Sequence, residues 1–286
     1  MLKLAANLEF MFGDRDFVDR VDAVPELGMA AFEFGEWRNR GMPQIIERMK
    51  RHQLVMSNLG VDPRVDLLDG DGRELFVQAV RDSAEMAHQV GCTRLGVVVE
   101  HVNVVPGRPW HESQLDLRQR DTRMRKRQYV VDALKAAAPI AEAEGVTLLV
   151  ECLNTLVDHA DYFIAAWHDG VSIVREVGSP AVRLTFDVYH HQINEGNIIA
   201  TITRDMDVIG HFHVGDVPGR HEPGTGEINY FNVLTAAVRA GYCGYLGLEC
   251  VPSKSDLAAA FSPIRQIVEQ INDQSAAAAP SPEPSS

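Results

Sequence analysis

Cysteine is scarce in this 286-residue chain: only Cys92, Cys152, Cys243 and Cys250 occur, and no two are spaced as Cys-x-x-Cys. A chain of this length buries a core without disulfide staples, so reduced thiols and a cytoplasmic location are expected. Positive charge is also short, with 27 Lys and Arg against 40 Asp and Glu and a net charge of -13. Nucleic acid and anionic membrane surfaces both call for a basic footprint, so neither is an expected partner. No apolar run approaches the roughly 18 residues of a membrane span. The opening Met-Leu-Lys-Leu-Ala-Ala-Asn-Leu-Glu-Phe turns polar too soon for a signal peptide. No Gly-rich phosphate-binding turn follows the first strand candidate, which counts against a dinucleotide-binding open sheet. No linker divides the chain. One domain is expected over residues 1–271, followed by an Ala/Pro/Ser-rich tail, 272–286, too poor in apolar side chains to order itself.

What is present is a regular alternation of short apolar runs with longer amphipathic ones. Strand candidates are Leu2–Phe10, Ala31–Phe34, Val55–Leu59, Arg94–Glu100, Thr147–Leu153, Arg183–Tyr189, Gly210–Val214 and Tyr245–Cys250. Helical patterns fall at Asp16–Leu27, Met42–His52, Asp71–Val90, Thr122–Glu144, Ala160–Val177, Glu195–Asp205, Tyr230–Ala240 and Lys254–Asn272. Glycines such as Gly91 and Gly178 stand where these helices should stop. Eight such units in one chain fit a closed α/β barrel of the (β/α)8 TIM type.

Successive strand side chains point to opposite faces, so each strand divides into two sets. In the last four strands the apolar set should pack on the helices. The other set, which faces the barrel interior, finishes in an ionisable residue each time: Glu151, Asp187, His213 and Glu249. Their separations of 36, 26 and 36 residues are about one βα unit each. Barrel enzymes work at the C-terminal ends of their strands. A single acid at a strand end is as often an ordinary cap; four in one phase at one end point to a shared site. Three carboxylates crowded together repel one another unless a cation intervenes. Three carboxylate oxygens and one imidazole suit a divalent metal, Mg²⁺ or Mn²⁺ first and Co²⁺ also.

The loop after the seventh strand supplies further candidates. Gly215 and Gly219 permit tight turns, Pro218 stiffens the exit, and Arg220 brings a fork-shaped cation able to hold a substrate carboxylate or hydroxyl. His211 lies one layer deeper than His213 and reads as a packing or supporting group. His190, just past Asp187, could reach a substrate; His191 reads as structural. Glu100, His101, Asn7 and Glu9 are pocket-wall or structural groups, His221 and Glu222 rim or surface groups. Trp37 and Trp110 either cover the mouth or pack elsewhere. The basic run Arg118–Arg127 reads as a solvated helix start or a contact within a homo-oligomer.

The motifs Val-Glu-Cys-Leu-Asn (150–154), Phe-Asp-Val-Tyr-His (186–190), Pro-Gly-Arg-His-Glu-Pro-Gly-Thr-Gly-Glu-Ile-Asn-Tyr (218–230) and Gly-Leu-Glu-Cys (247–250) resemble those of the hydroxypyruvate isomerase family. Phe-Glu-Phe-Gly-Glu-Trp-Arg-Asn (32–39) extends the likeness toward the N-terminus. That family lies in the xylose isomerase-like TIM barrel superfamily, alongside the ketose 3-epimerases. The resemblance implies a metal on Glu151, Asp187, His213 and Glu249, proton transfer by Glu151 and Glu249, and substrate contacts from His190 and Arg220. At His213 the chain resembles the epimerases, since many hydroxypyruvate isomerases carry glutamine there. The expected activity is isomerisation of a short 2-oxo acid, hydroxypyruvate to tartronate semialdehyde in type. Epimerisation of a free ketose is the alternative. Metal-dependent hydrolysis of the endonuclease IV kind conflicts with the acidic charge. A non-catalytic sugar-acid binder would show no proton exchange.

Overall fold

The computed structural model describes residues 1–101 and 117–277, with side chains from residue 122 onward in the second block. Eight parallel strands close into a barrel in sequence order: β1 (Lys3–Asn7), β2 (Ala31–Phe34), β3 (Val55–Gly60), β4 (Arg94–Val97), β5 (Thr147–Glu151), β6 (Val182–Asp187), β7 (Ile209–Val214) and β8 (Tyr245–Leu248). The seam between first and last strands pairs Lys3 with Tyr245 and Ala6 with Leu248. This is the (β/α)8 architecture expected. The helices, in order, are α1 (Arg20–Ala23), α2 (Met42–His52), α3 (Gly72–Val90), α4 (Leu117–Ala143), α5 (Trp167–Val177), α6 (Val188–Asn194), α7 (Ile198–Asp205), α8 (Tyr230–Arg239), α9 (Leu257–Ala260) and α10 (Ser262–Ala277). No described helix is long and apolar enough to cross a membrane.

The two strand faces serve different layers. Leu148, Val150, Leu184, Phe186, Phe212, Leu246 and Leu248 are fully buried between barrel and helices. Phe212 packs edge-on to Tyr242 with centroids 4.5 Å apart, and Trp167 of α5 meets Phe186 at 4.8 Å. Removing each such side chain from water contributes about 1.5–3 kcal/mol. The inner face is polar and small by comparison: Ala5, Asn7, Glu33, Thr185, His211 and Gly247 are all buried.

Several elements end earlier or later than their hydrophobic patterns suggest. The segment Asp16–Leu27 is not one helix, because Pro25 lacks the N–H that a continuing helix needs. It is a 3-10 turn, the four-residue α1 and a second 3-10 turn, Pro25–Leu27. The pattern Ala160–Val177 becomes helical only at Trp167, since Asn194 Nδ2 donates to Leu153 O and Ala165 O and pins the preceding loop. The sixth strand stops at Asp187. Its carboxylate accepts from the amides of Tyr189 and His190 at 2.8 and 3.2 Å, which caps α6 and converts Val188–Asn194 from extended chain to helix. Residues 272–277, expected in the tail, continue α10. Asn272 anchors them, bonding Leu2 N and Leu2 O through its side chain at 2.8 and 3.0 Å. Residues 278–286, Trp110 and Arg118–Arg120 lie outside what is described of side chains. Trp37 is held at Ser83 Oγ on α3 and packs rather than covering the mouth.

Phe212→Ala should lower unfolding free energy by about 3–5 kcal/mol, the cost of a buried aromatic cavity, and Phe212→Leu by less. Denaturant titration of the two variants checks this; equal, small losses would mean the helix-facing layer collapses around the hole.

Candidate active site

Four neighbouring strands deliver four ionisable side chains to one point. Glu151 ends β5, Asp187 ends β6, His213 is the penultimate residue of β7, and Glu249 follows β8. Each offers a ligand atom, and these atoms lie within 4.8 Å of one another. His213 Nδ1 is 3.0 Å from Glu151 Oε1 and 3.0 Å from Glu249 Oε2. All four side chains are at least 85% buried, the most exposed being Glu249 at 15%. Burial pushes the Asp187 carboxyl upward, and Glu249 and Glu151 add to it while Arg220 opposes. Burial would also raise Glu249, but His213 and Arg220 outweigh it and hold that carboxyl well below its ordinary range. His213 shows the reverse balance: burial disfavours its cation, yet Glu249, Glu151 and Glu33 drive its pKa well above normal. So compact a set of three carboxylates and one imidazole could hold a divalent cation.

Arg220 stands beside this group. Its Nη2 is 2.7 Å from Glu249 Oε2 and 3.2 Å from Asp187 Oδ2, and its Nε donates to Glu249 O. Its guanidinium also lies over the rings of Phe10 and Tyr189 at 4.7 and 5.0 Å. None of these contacts uses Nη1. The long motif of residues 218–230 exists to hold this pose. Arg220 has φ 54°, and its carbonyl accepts from Val251 N. Asp216, wholly buried, accepts from the amides of Val217, Gly224 and Ile228. Tyr230 OH donates to Gly215 O at 2.7 Å. Gly226 has no room for a side chain, since a Cβ would sit 2.0 Å from Val217 O. His221 and Glu222 serve the same loop, on Val251 O and Ser253.

His190 is buried, with Asn154 donating from N to its Nδ1 at 3.2 Å and Asn154 Nδ2 only 2.7 Å from the same atom. A ring whose Nδ1 accepts carries its proton on Nε2, which is 3.5 Å from Asp187 Oδ2. Burial, reinforced by Arg220, pushes its pKa well below normal, so His190 is a neutral N–H donor. His191 packs among Trp167 and Phe186, as a structural group should. Glu100 accepts from Phe163 N and pins the β5–α5 connection. Glu9 pairs with Arg40 at the cavity edge.

Two contributors escaped the sequence reading. Asn154 is one; its place in Val-Glu-Cys-Leu-Asn was the available signal. Glu33 is the other: 1% exposed inside β2, it lies 2.9 Å from His211 Nε2 and 3.2 Å from His213 Nε2. Burial alone would raise its carboxyl, but His211 and His213 bring it down to about 2. An acid within the apolar run Ala-Ala-Phe-Glu-Phe was the clue. The site opens into a cavity of about 430 Å³ whose far wall includes Asn7, Asn58, Gly60 and Gly96.

Known proteins resemble this chain in sequence and in fold. The model of the xylose isomerase-like TIM barrel family matches residues 21–271. A 2-oxo-tetronate isomerase from Cupriavidus necator is 32% identical over 88% of this chain and 94% of its own length. A hydroxypyruvate isomerase from Escherichia coli is 27% identical over 88% and 94%. Among solved structures, an AP endonuclease, family 2, from Brucella melitensis superposes with TM-score 0.80 at 25% identity, covering 93% of this chain and 99% of that one. A 3-keto-D-glucoside 4-epimerase from E. coli shares the fold at TM-score 0.77 and 19% identity, over 96% and 100%.

Asp216→Ala removes the shared acceptor of three loop amides, of which the buried Ile228 N costs about 1–3 kcal/mol when left unsatisfied. The expected outcome is a loop that no longer holds Arg220, with kcat/KM down roughly 10-fold per 1.4 kcal/mol of lost positioning. Steady-state kinetics on the variant checks it; wild-type kcat/KM would show that Arg220 finds its place without the Asp216 clamp.

Proposed function

The chain belongs to the xylose isomerase-like TIM barrel family, and we propose that it is a metal-dependent isomerase that shifts the carbonyl of a short 2-oxo acid between neighbouring carbons. Hydroxypyruvate and tartronate semialdehyde form the three-carbon pair; a 2-oxo-tetronate, named for the Cupriavidus relative, is the four-carbon counterpart. The observation that carries the reading is the placement of two glutamates, Glu151 and Glu249, each 3.0 Å from one imidazole nitrogen at the floor of the cavity. The residues that would hold the metal are Glu151, Asp187, His213 and Glu249, with Mg²⁺ or Mn²⁺ favoured by the oxygen-rich set and Co²⁺ admissible.

A divalent ion bound there supplies electrophilic stabilisation of the substrate's carbonyl and hydroxyl oxygens, which acidifies the C–H between them. The protein residues do the rest. One glutamate removes that proton to leave an enediolate, the other returns a proton at the adjacent carbon, and the hydroxyl proton passes to the former carbonyl oxygen. His213 and Arg220 hold Glu249 in the ionised form that can accept a proton. Arg220, with Nη1 unused by its ion pairs, meets the substrate carboxylate or hydroxyl; the neutral His190 donates its Nε2–H to a second oxygen. Both donors are fixed before substrate arrives, so little reorganisation accompanies charge development.

One alternative is a ketose 3-epimerase, in which the proton returns to the carbon it left: the histidine at 213 resembles that group, and an L-ribulose 3-epimerase shares the fold. A nuclease reading has the likeness to a structure named AP endonuclease behind it, but a net charge of -13 opposes binding to a phosphate backbone.

Glu151→Gln and Glu249→Gln should each lower kcat by at least about 10²–10⁴-fold, the usual worth of acid–base help. In deuterated solvent one variant should still exchange the substrate C–H while forming no product. Near-normal turnover by both would end the two-glutamate mechanism. Chelation should abolish activity on hydroxypyruvate and 2-oxo-tetronate, and Mn²⁺ should restore it. Activity confined to free ketoses would select the epimerase. In the same assay Asp187→Asn should lose most of its bound metal, and full retention would remove Asp187 from the ligand set.

A further inference from the structure

We propose that Glu33 is a positioning residue that fixes His213 in the orientation and tautomer a metal requires, with Nδ1 free for the ion and the ring proton on Nε2. The inference rests on the metal-site reading above and concerns a residue outside the four-ligand set.

An imidazole can give a metal only a nitrogen that carries no proton, so the proton must sit on the other nitrogen and needs an acceptor there. His213 has its two nitrogens in different surroundings. Nδ1 faces Glu151 and Glu249, and Nε2 lies 3.2 Å from Glu33 Oε1, a charge contact bent away from the ideal hydrogen-bond line. Glu33 is held for this purpose by the strands around it. The β2–β3 register slips at this point: Phe32 pairs with Met56, and Glu33 pairs with Asn58. Ser57 is therefore the extra residue of a bulge, and its hydroxyl donates to Glu33 Oε2 at 3.0 Å. His211 Nε2 lies 2.9 Å from the same oxygen, and Asn7 Nδ2 reaches Oε1 at 3.5 Å. Gly247 completes the fit: a Cβ there would stand 1.9 Å from Glu33 Oε1 and 2.8 Å from His213 Cδ2.

Glu33, His211 and His213 could in principle hold an ion of their own. The surroundings oppose this. Glu33 Oε2 is already bonded by Ser57 and His211, Oε1 is pressed against Gly247 and His213, and the carboxylate is 1% exposed. The carboxylate is instead placed to face the Nε2 atoms of both rings.

The test compares the unsubstituted chain with Glu33→Gln, and with the milder Ser57→Ala in case the first misfolds. Each full-length protein is stripped with chelator and titrated with MnCl2 in a calorimeter. The unsubstituted chain should bind one Mn²⁺. Glu33→Gln should bind one Mn²⁺ about 10–100-fold more weakly, the usual cost of losing a partner behind a metal-bound histidine. Ser57→Ala should fall between them. A role confined to packing would leave the ligand field untouched, so the visible spectrum of the Co²⁺-loaded proteins is the second readout and should change in Glu33→Gln. An unchanged dissociation constant and Co²⁺ spectrum would overturn the inference and leave the metal site standing. Two Mn²⁺ per chain, one lost on substitution, would make Glu33 a ligand and overturn it also. No Mn²⁺ uptake by the unsubstituted chain would overturn the metal reading and this inference together.

Discussion

Three carboxylates converging inside a buried volume set the terms for the upper half of this barrel. Glu151, Asp187 and Glu249 meet where water is largely excluded, and like charges at such spacing cannot all remain ionised without compensation. His213 stands among them, and Arg220 bridges Asp187 and Glu249. The opposing pKa directions express one balance: Asp187 is raised while Glu249 is lowered, because the cations are shared unevenly between them. The two glutamates differ in the same way: both meet His213, and Arg220 pairs with Glu249.

That constraint explains why so much sequence goes into a single arginine. A cation placed on a mobile loop would wander toward solvent. Here Asp216 takes three amides, Tyr230 clips Gly215, and Gly226 lets two loop segments touch, so Arg220 is delivered in a left-handed backbone conformation that its neighbours enforce. His190 is handled the other way. Asn154 occupies its Nδ1 and burial keeps it neutral, so it adds a donor without adding charge to a site already crowded with it.

The closed barrel and the four convergent residues were legible because both follow from periodicity. Parallel strands buried on both faces read as short apolar runs, and the period of two then separates Glu151, Asp187, His213 and Glu249 from their outward neighbours. Less regular features were not legible. The helix at Val188 depends on Asp187 capping it, so one side chain both ends a strand and starts a helix. The β2–β3 bulge that brings Ser57 to Glu33 is a register event between two strands, and no pattern within either one records it. Glu33 itself stood in plain view, yet an acid in a short apolar strand becomes meaningful only once His211 and His213, nearly 180 residues later, are known to face it.

The barrel thus divides its labour between halves. Strands β5 to β8 carry the groups that would touch metal and reacting carbons. Strands β1 to β4 supply support and space: Glu33 and Ser57 beneath His213, and Asn58, Gly60 and Gly96 along the far cavity wall. Gly96 leaves the Asn58 amide uncovered, since a Cβ there would lie 3.5 Å from Nδ2. Asn58 Oδ1 has no hydrogen-bond partner among the described residues, although buried polar atoms nearly always find one. The wall opposite Glu151, His213 and Glu249 thus combines glycine-made space with a buried amide oxygen left to face it.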